Sequence, residues 1–320
     1  VILIHGNGSD PGFWERQGFA PGLRTAGVPL NASIMLNEAG IEANGWELSQ
    51  VLPDRVREFG AEHVHLVAHS KGGLDTREFL AKYGSPFEVV SLVTLSTPHR
   101  GVAGADFAVS RQHFSVVFGA GTEANFLSVL ARMFGSSALD PTEGRRDLTV
   151  GHVGQFNADN VAKLPAGLIF QVVGADTNTD DDPAGDLDYV GDNLEAMVSE
   201  SPDFTAFHQE LGDAGVERVL SILYRFLRDK SVLVPAEDNL VNPLLPMFVS
   251  SSVMQGGGPN DILVPILSAE GPPGAPVEVL PHYLGSNGRN HSDVADDDSA
   301  LTVLPYLLDA DARDGGFSDE

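Results

Sequence analysis

A serine, an aspartate and a histidine are spaced along this chain so that they could act together on one carbonyl carbon. Ser70 lies in Ala68-His69-Ser70-Lys71-Gly72-Gly73, with small residues two positions to either side. A strand that bends sharply into a helix and lifts a serine at the bend needs that spacing, because larger side chains there would collide. His65-Leu66-Val67 before the bend reads as strand. Leu74 to Tyr83 after it, with Leu74, Phe79 and Leu80 apolar, reads as helix. An ordinary serine on a strand–helix turn is the plainer alternative, and the flanking elements weigh against it.

A serine hydroxyl is a poor nucleophile until a base takes its proton, and the base needs a carboxylate to orient it. Behind a serine on such a bend, the partners follow in the order Asp or Glu, then His. Among ten histidines, His291 has that order and lies on the polar, glycine-containing stretch from Ser286 to Asp293. His63 and His65 precede the bend, His5 belongs to the first loop, and His69 reads as packing beneath the serine. His113, His152 and His208 fall in the excursions described below, and His99 and His282 read as structural residues near strand ends. For the acid, Asp261 is favoured, because its turn leads into the apolar run that approaches the last strand. Asp176, directly after the apolar stretch Leu168 to Val173, is its rival. A tetrahedral oxyanion needs two preorganised donors. The main-chain N–H groups of Lys71 and Asn7 are expected to serve, the second within His5-Gly6-Asn7-Gly8, whose glycines permit a close approach. Alone, that tetrapeptide would be a plain glycine turn.

The elements that must position these residues are legible in outline. Val1 to Ile4 reads as a buried strand, Pro29 to Leu36 as a second, and Val89 to Leu95 and Leu168 to Val173 as two more. Glu278 to Leu284 reads as the last strand, with Pro281 placing it at an edge or bulge. Trp46 to Phe59 has helical spacing, with Pro53 expected in or near its first turns. Ser299 to Leu308 reads as a closing helix with Asp296, Asp297 and Asp298 at its positive end. Strands alternating with helices predict an α/β fold with a mostly parallel sheet covered on both faces. The alternation stops over 101–165, where Ala124 to Phe134 looks helical, and again over 177–258, with an acidic loop at Asp180-Asp181-Asp182 and a helix near Val216 to Arg228. Both read as insertions on one domain spanning 1–320, the first a helical cap or lid.

Hydrophobic content of 42% and charged content of 20% are those of a globular protein. No apolar run reaches the length of a membrane span. Cysteine is absent, which excludes disulfides and thiol catalysis. Acidic residues number 45 against 19 basic ones, for a net charge of −26. Nucleic acid is therefore not an expected partner, since phosphate neutralisation needs a basic face. A secreted or extracytoplasmic setting is the expectation, although Val1 lies inside a strand and carries no address.

With these residues in place, the chain resembles the bacterial true lipases and carboxylesterases of the α/β-hydrolase fold. The resemblance rests on His5-Gly6, the Ala68–Gly73 bend, Ser96-Thr97-Pro98-His99-Arg100-Gly101, Asn260-Asp261 with Val264-Pro265 and Ser268-Ala269, and Asn290-His291-Ser292-Asp293, in that order. Asp147-Leu148-Thr149 with Phe156-Asn157 adds to it. It implies Ser70, Asp261 and His291 as catalytic triad, Asn7 and Lys71 as oxyanion donors, and a mobile helical lid. It implies an ester substrate with an apolar acyl part, and transient contact with a lipid interface. No cofactor is required on this reading, but such lipases often hold a structural calcium beside the catalytic histidine. Asp293 matches one ligand position, and Asp176 or Asp180 could supply another; oxygen-rich acidic loops suit this ion. Three departures stand out: alanine at 68, a lysine after the serine that would set a charge near the acyl site, and an insertion after Asp176 longer than expected. A polyester depolymerase would share the same site, and a catalytically silent α/β-hydrolase used for binding is the alternative from another class. Nothing in the sequence sets the oligomeric state.

Overall fold

The computed structural model describes residues 1–28, 32–34, 36, 39–102, 105, 143–175, 261, 264, 266–280, 291 and 293–314. The elements run β1 (Ile2–Ile4), α1 (Phe13–Gln17), α2 (Phe19–Thr25), β2 (Ala32–Ile34), α3 (Ile41–Glu58), β3 (His63–His69) and α4 (Lys71–Glu78), which continues into one π-helical turn (Phe79–Tyr83). They continue with β4 (Glu88–Leu95), α5 (Glu143–Arg146), α6 (Val150–Asn160), β5 (Ile169–Val173), α7 (Ile266–Ala269), β6 (Val277–Val279) and α8 (Asp297–Asp314). Their strands form a six-stranded sheet in the order β2-β1-β3-β4-β5-β6, every pairing parallel. β3, which ends at the serine, therefore lies inside the sheet.

Side chains alternate between two cores, as the pleat requires. Leu3, Val67, Val93, Leu95 and Val173 face Phe13, Trp14 and Phe19 of the first two helices, with Ala300, Val303 and Leu307 of α8. Ile2, Ile4, Leu66, Ala68, Leu92, Phe170 and Val172 face the other way, onto Leu48, Leu52 and Val56 of α3 and onto Phe79 and Leu80. With both faces covered, the strands carry near-continuous apolar runs, which is why they were readable.

Three boundaries moved. α3 begins at Ile41, so Pro53 sits well past its middle rather than in its first turns. Its buried Leu48, Leu52 and Val56 lie one turn apart and outweigh the local loss of one helical N–H. The start of α3 is capped from a distance, with Ile41 N–H donating to Asp147 Oδ2 at 2.7 Å. α8 is longer than its apolar pattern: it runs from Asp297, and Asp296 Oδ1 accepts from Ser299 N–H at 2.7 Å. β6 covers Val277–Val279, and Leu280 N–H extends the pairing to Val172 O at 3.1 Å. Pro281, His282, the helices expected over 124–134 and 216–228, and the acidic loop at 180–182 lie outside the described residues.

Within the stretch 101–165, α6 is part of the body. Its Val153 and Phe156 form a small apolar cluster with Ile41 and Leu74. Val102 N–H donates to Leu148 O at 2.8 Å, joining the two ends of the segment between them.

Candidate active site

The bend at Ser70 is built on a backbone conformation that L-residues seldom adopt. Ser70 has φ 54° and ψ −133°, and its N–H donates to Leu95 O at 2.9 Å. Its carbonyl accepts from Thr97 Oγ1 at 2.8 Å and from Gly73 N–H at 3.1 Å. Such strain costs of order 1–3 kcal/mol and persists only where surrounding contacts enforce it. The glycines around the bend have no room for a side chain. A β-carbon at Gly72 would stand 2.4 Å from His5 O, and one at Gly6 would stand 2.6 Å from Ser70 Cβ. The first loop is therefore pressed directly against the serine. Ala68 is fully buried in β3, in the second core.

His291 and Asp261 meet Ser70 from loops far along the chain. Ser70 Oγ lies 2.9 Å from His291 Nε2, to which its hydroxyl donates. His291 Nδ1–H donates to Asp261 Oδ2 at 2.8 Å. Asp261 Oδ1 accepts from Val264 N–H at 2.6 Å, so both carboxylate oxygens are engaged in a residue with no exposed surface. The two loops are also joined through the main chain, His291 N–H to Asp261 O at 2.9 Å. The rival acid, Asp176, lies outside the described residues.

Of the expected oxyanion donors, Lys71 is the first residue of α4, where main-chain N–H groups lack intrahelical partners. Asn7 stands one residue after Gly6, and its side-chain Oδ1 is buried with no hydrogen-bond partner. His5 braces the same loop: Nδ1–H donates to Gly6 O at 2.8 Å, and Nε2 accepts from Leu36 N–H at 3.1 Å. Burial holds the His5 imidazole below its ordinary pKa, which keeps Nε2 free to accept.

The lysine after the serine corrects an expectation. Its side chain is fully buried and turned along α4, with Nζ 2.6 Å from Asp75 Oδ1. Asp75 Oδ2 accepts from Asn44 Nδ2 at 2.9 Å. The charge is thus neutralised beneath the helix rather than set beside an acyl group. Burial raises the Asp75 carboxyl to about 6, with Lys71 acting against that shift.

The contacts among other polar residues around the bend were not readable from their places in the sequence. Arg77 is fully buried with neutral partners: its guanidinium donates to Asn157 Oδ1 at 2.8 Å and to His99 Nδ1 at 3.3 Å, and it lies 4.9 Å from the Phe156 ring centre. Asn157 Nδ2 donates to His99 O at 2.7 Å. His69 does pack beneath the serine, stacked on Phe13 with ring centres 4.6 Å apart. Its Nε2–H also donates to His291 O at 2.7 Å, a contact that packing alone did not foretell.

Among the described residues no three His, Asp or Glu gather into a group that could hold a metal ion. Asp293 begins a short 3-10 turn (Asp293–Ala295), and the calcium expectation at that position stays one. No helix among the described residues is long and apolar enough to cross a membrane.

The parallel sheet and its serine bend define the α/β-hydrolase fold. The mature lipase BlEst2 of Bacillus licheniformis superposes with a TM-score of 0.53 at 18% identity, over 96% of this chain and 90% of that one. EstA of Clostridium botulinum gives 0.50 at 13% identity, over 96% and 86%. No family model matches the chain. By sequence, 116 residues (33% of this chain) are 34% identical to a triacylglycerol lipase of Pseudarthrobacter phenanthrenivorans, covering 35% of it. A triacylglycerol lipase of Burkholderia plantarii matches at 34% over 116 residues, 31% of its length. Over 92 residues (27% of this chain) the identity to triacylglycerol lipase 2 of Saccharomyces cerevisiae is 45%, covering 28% of that protein. The chain spans about a third of the length of these curated relatives. Over that third the chain is similar to triacylglycerol lipases, and its fold is that of the solved α/β-hydrolases.

Proposed function

We propose that the protein is a serine hydrolase of carboxylic esters. The observation that carries this is the unbroken path from Ser70 Oγ through His291 to Asp261, at 2.9 Å and 2.8 Å, ending on a strained bend. Ser70 Oγ attacks the acyl carbon while His291 Nε2 takes its proton. Asp261 orients the ring and stabilises the imidazolium. The N–H groups of Lys71 and Asn7 receive the oxyanion. His291 returns its proton to the leaving alcohol, and water activated by the same ring then releases the acid.

The triacylglycerol lipase relatives support an ester as substrate class; an apolar acyl chain, met at a lipid interface, is part of the proposal. The test is hydrolysis of p-nitrophenyl esters from acetate to palmitate, with a polyester film as a further arm. Turnover should vanish in Ser70→Ala, and a fluorophosphonate should block the wild type by labelling Ser70. Asp261→Asn should lose roughly 100- to 10,000-fold in kcat, as expected when the base loses its orienting carboxylate, and more than Asp176→Asn. Unchanged turnover in Ser70→Ala would overturn the mechanism, and a larger loss at Asp176 would reassign the acid.

A further inference from the structure

We infer that His69 is a positioning residue for Ser70 chemistry: as a neutral imidazole it grips the main-chain carbonyl of His291 and so fixes where the His291 ring stands. This rests on the triad reading above.

His69 is the last residue of β3 and directly precedes Ser70, so the grip and the nucleophile hang from one interior strand. His291 lies in no helix or strand. Its main chain is held on both sides, its N–H by Asp261 O at 2.9 Å and its carbonyl by His69 Nε2–H at 2.7 Å. One hold comes from the acid's residue and the other from the nucleophile's strand. Without the second, the His291 Cα could drift away from Ser70 while its bond to Asp261 stayed intact. The His69 ring cannot easily turn aside: Phe13 stacks on it at 25° between planes, and Trp14 meets it edge-on with ring centres 6.4 Å apart.

Only one protonation form suits this role. The proton on Nε2 is spent on the carbonyl, and Nδ1 is buried with no partner. A second proton there would be buried with nothing to accept it. Burial, followed by the facing His291, holds the His69 imidazole well below its ordinary pKa. The rings of His69 and His291 are 4.7 Å apart between centres. When His291 becomes an imidazolium during turnover, it therefore faces a neutral ring rather than a second cation.

The experiment compares His69→Phe, His69→Gln and His69→Asn with the wild type on p-nitrophenyl butyrate. Phenylalanine keeps the stack on Phe13 but has no donor. Glutamine carries an N–H donor near the place of Nε2, and asparagine is too short to reach. In His69→Phe, kcat should fall about 10- to 100-fold, as for a small displacement of a reacting group, with KM within about twofold and a similar Tm. His69→Gln should recover most of that kcat, and His69→Asn should not. A His69→Phe enzyme at wild-type kcat, or His69→Gln no faster than His69→Asn, overturns the positioning role and leaves the triad reading standing. If His69→Phe does not fold, the Gln-to-Asn ratio alone decides. A wild type that neither turns over nor takes a fluorophosphonate on Ser70 overturns the triad reading, and this inference with it.

Discussion

Lys71 Nζ and Asp75 Oδ1 are 2.6 Å apart on successive turns of a helix whose every residue is buried. The pair sits directly behind Ser70 and faces Asn44 of α3. The main chain of Lys71 and its side chain thus belong to different parts of the molecule.

From this it follows that Lys71→Met should leave ester preference unchanged and weaken the fold. The ratio of kcat/KM for p-nitrophenyl butyrate and its anionic hemisuccinate counterpart should stay within about twofold. Stability should drop by about 3–5 kcal/mol, as when one partner of a buried ion pair is removed. Adding Asp75→Leu to Lys71→Met should restore most of the loss, since no buried charge then remains. Urea unfolding and two-substrate kinetics check both halves. A selective change on the anionic ester would return the lysine charge to the acyl site.

Two glycines on different helices should respond in opposite ways to the same substitution. In Gly72→Ala the new methyl meets backbone oxygen atoms of His5 and Ile4, at 2.4 Å and 2.9 Å, and neither can move without moving the first loop. Stability should fall by about 1–3 kcal/mol, typical of overpacking, and turnover should fall with it. Gly154 is exposed on α6 with open space where a β-carbon would go. Gly154→Ala should stabilise by about 0.5–1 kcal/mol with turnover unchanged. Calorimetry beside an ester assay reads both, and a harmless Gly72→Ala would contradict the pressed loop.

Acid should destabilise the protein through two buried histidines. His69 and His99 are buried; burial first, then the facing His291 for the one and Arg77 for the other, hold both well below their usual range. The unfolded chain takes up protons on these rings as pH falls through about 6.5, and the folded chain does not. Their contribution is therefore complete above that value and is lost on acidification, each ring by at most about 1.4 kcal/mol per pH unit. Asp75, raised to about 6 by burial, acts in the opposite direction between there and its lower unfolded value, and offsets part of the loss. Tm should fall between pH 7.5 and pH 5. A flat or rising Tm over that range would show that these rings are not held neutral.

Ser70, His291 and Asp261, which the structure brings together, were readable as candidates because each sits on a local signal: small residues round a bend, and polar turns in a fixed chain order. The sheet was readable because its strands are apolar on both faces. What was not readable depends on contacts between distant residues. Asp147 caps a helix 106 positions away, and the motif it belongs to does not announce that contact. The inward turn of Lys71 needs Asn44 and Asp75 to be brought together by the fold. His65 was set aside on chain order alone, yet it bridges Ser91 Oγ and Asp311 Oδ1, each at 2.8 Å. That second Ser–His–Asp array has a fully buried hydroxyl in mid-strand, without the positive φ of Ser70. Three side chains in line do not by themselves make a nucleophile, and Ser91 lacks the strained bend on which the proposal for Ser70 rests.

The hydrogen bond between Val102 and Leu148 has a consequence for how this architecture can vary. It ties Val102 to Leu148, so the chain between them leaves and rejoins the body at one place. Once the ends are pinned, doubling such a loop costs only about 0.6 kcal/mol of closure entropy. The body of the protein therefore meets the same two tied ends, whatever length of chain runs between them. Insertion or deletion between those ends can then proceed with Ser70, His291 and both cores left untouched.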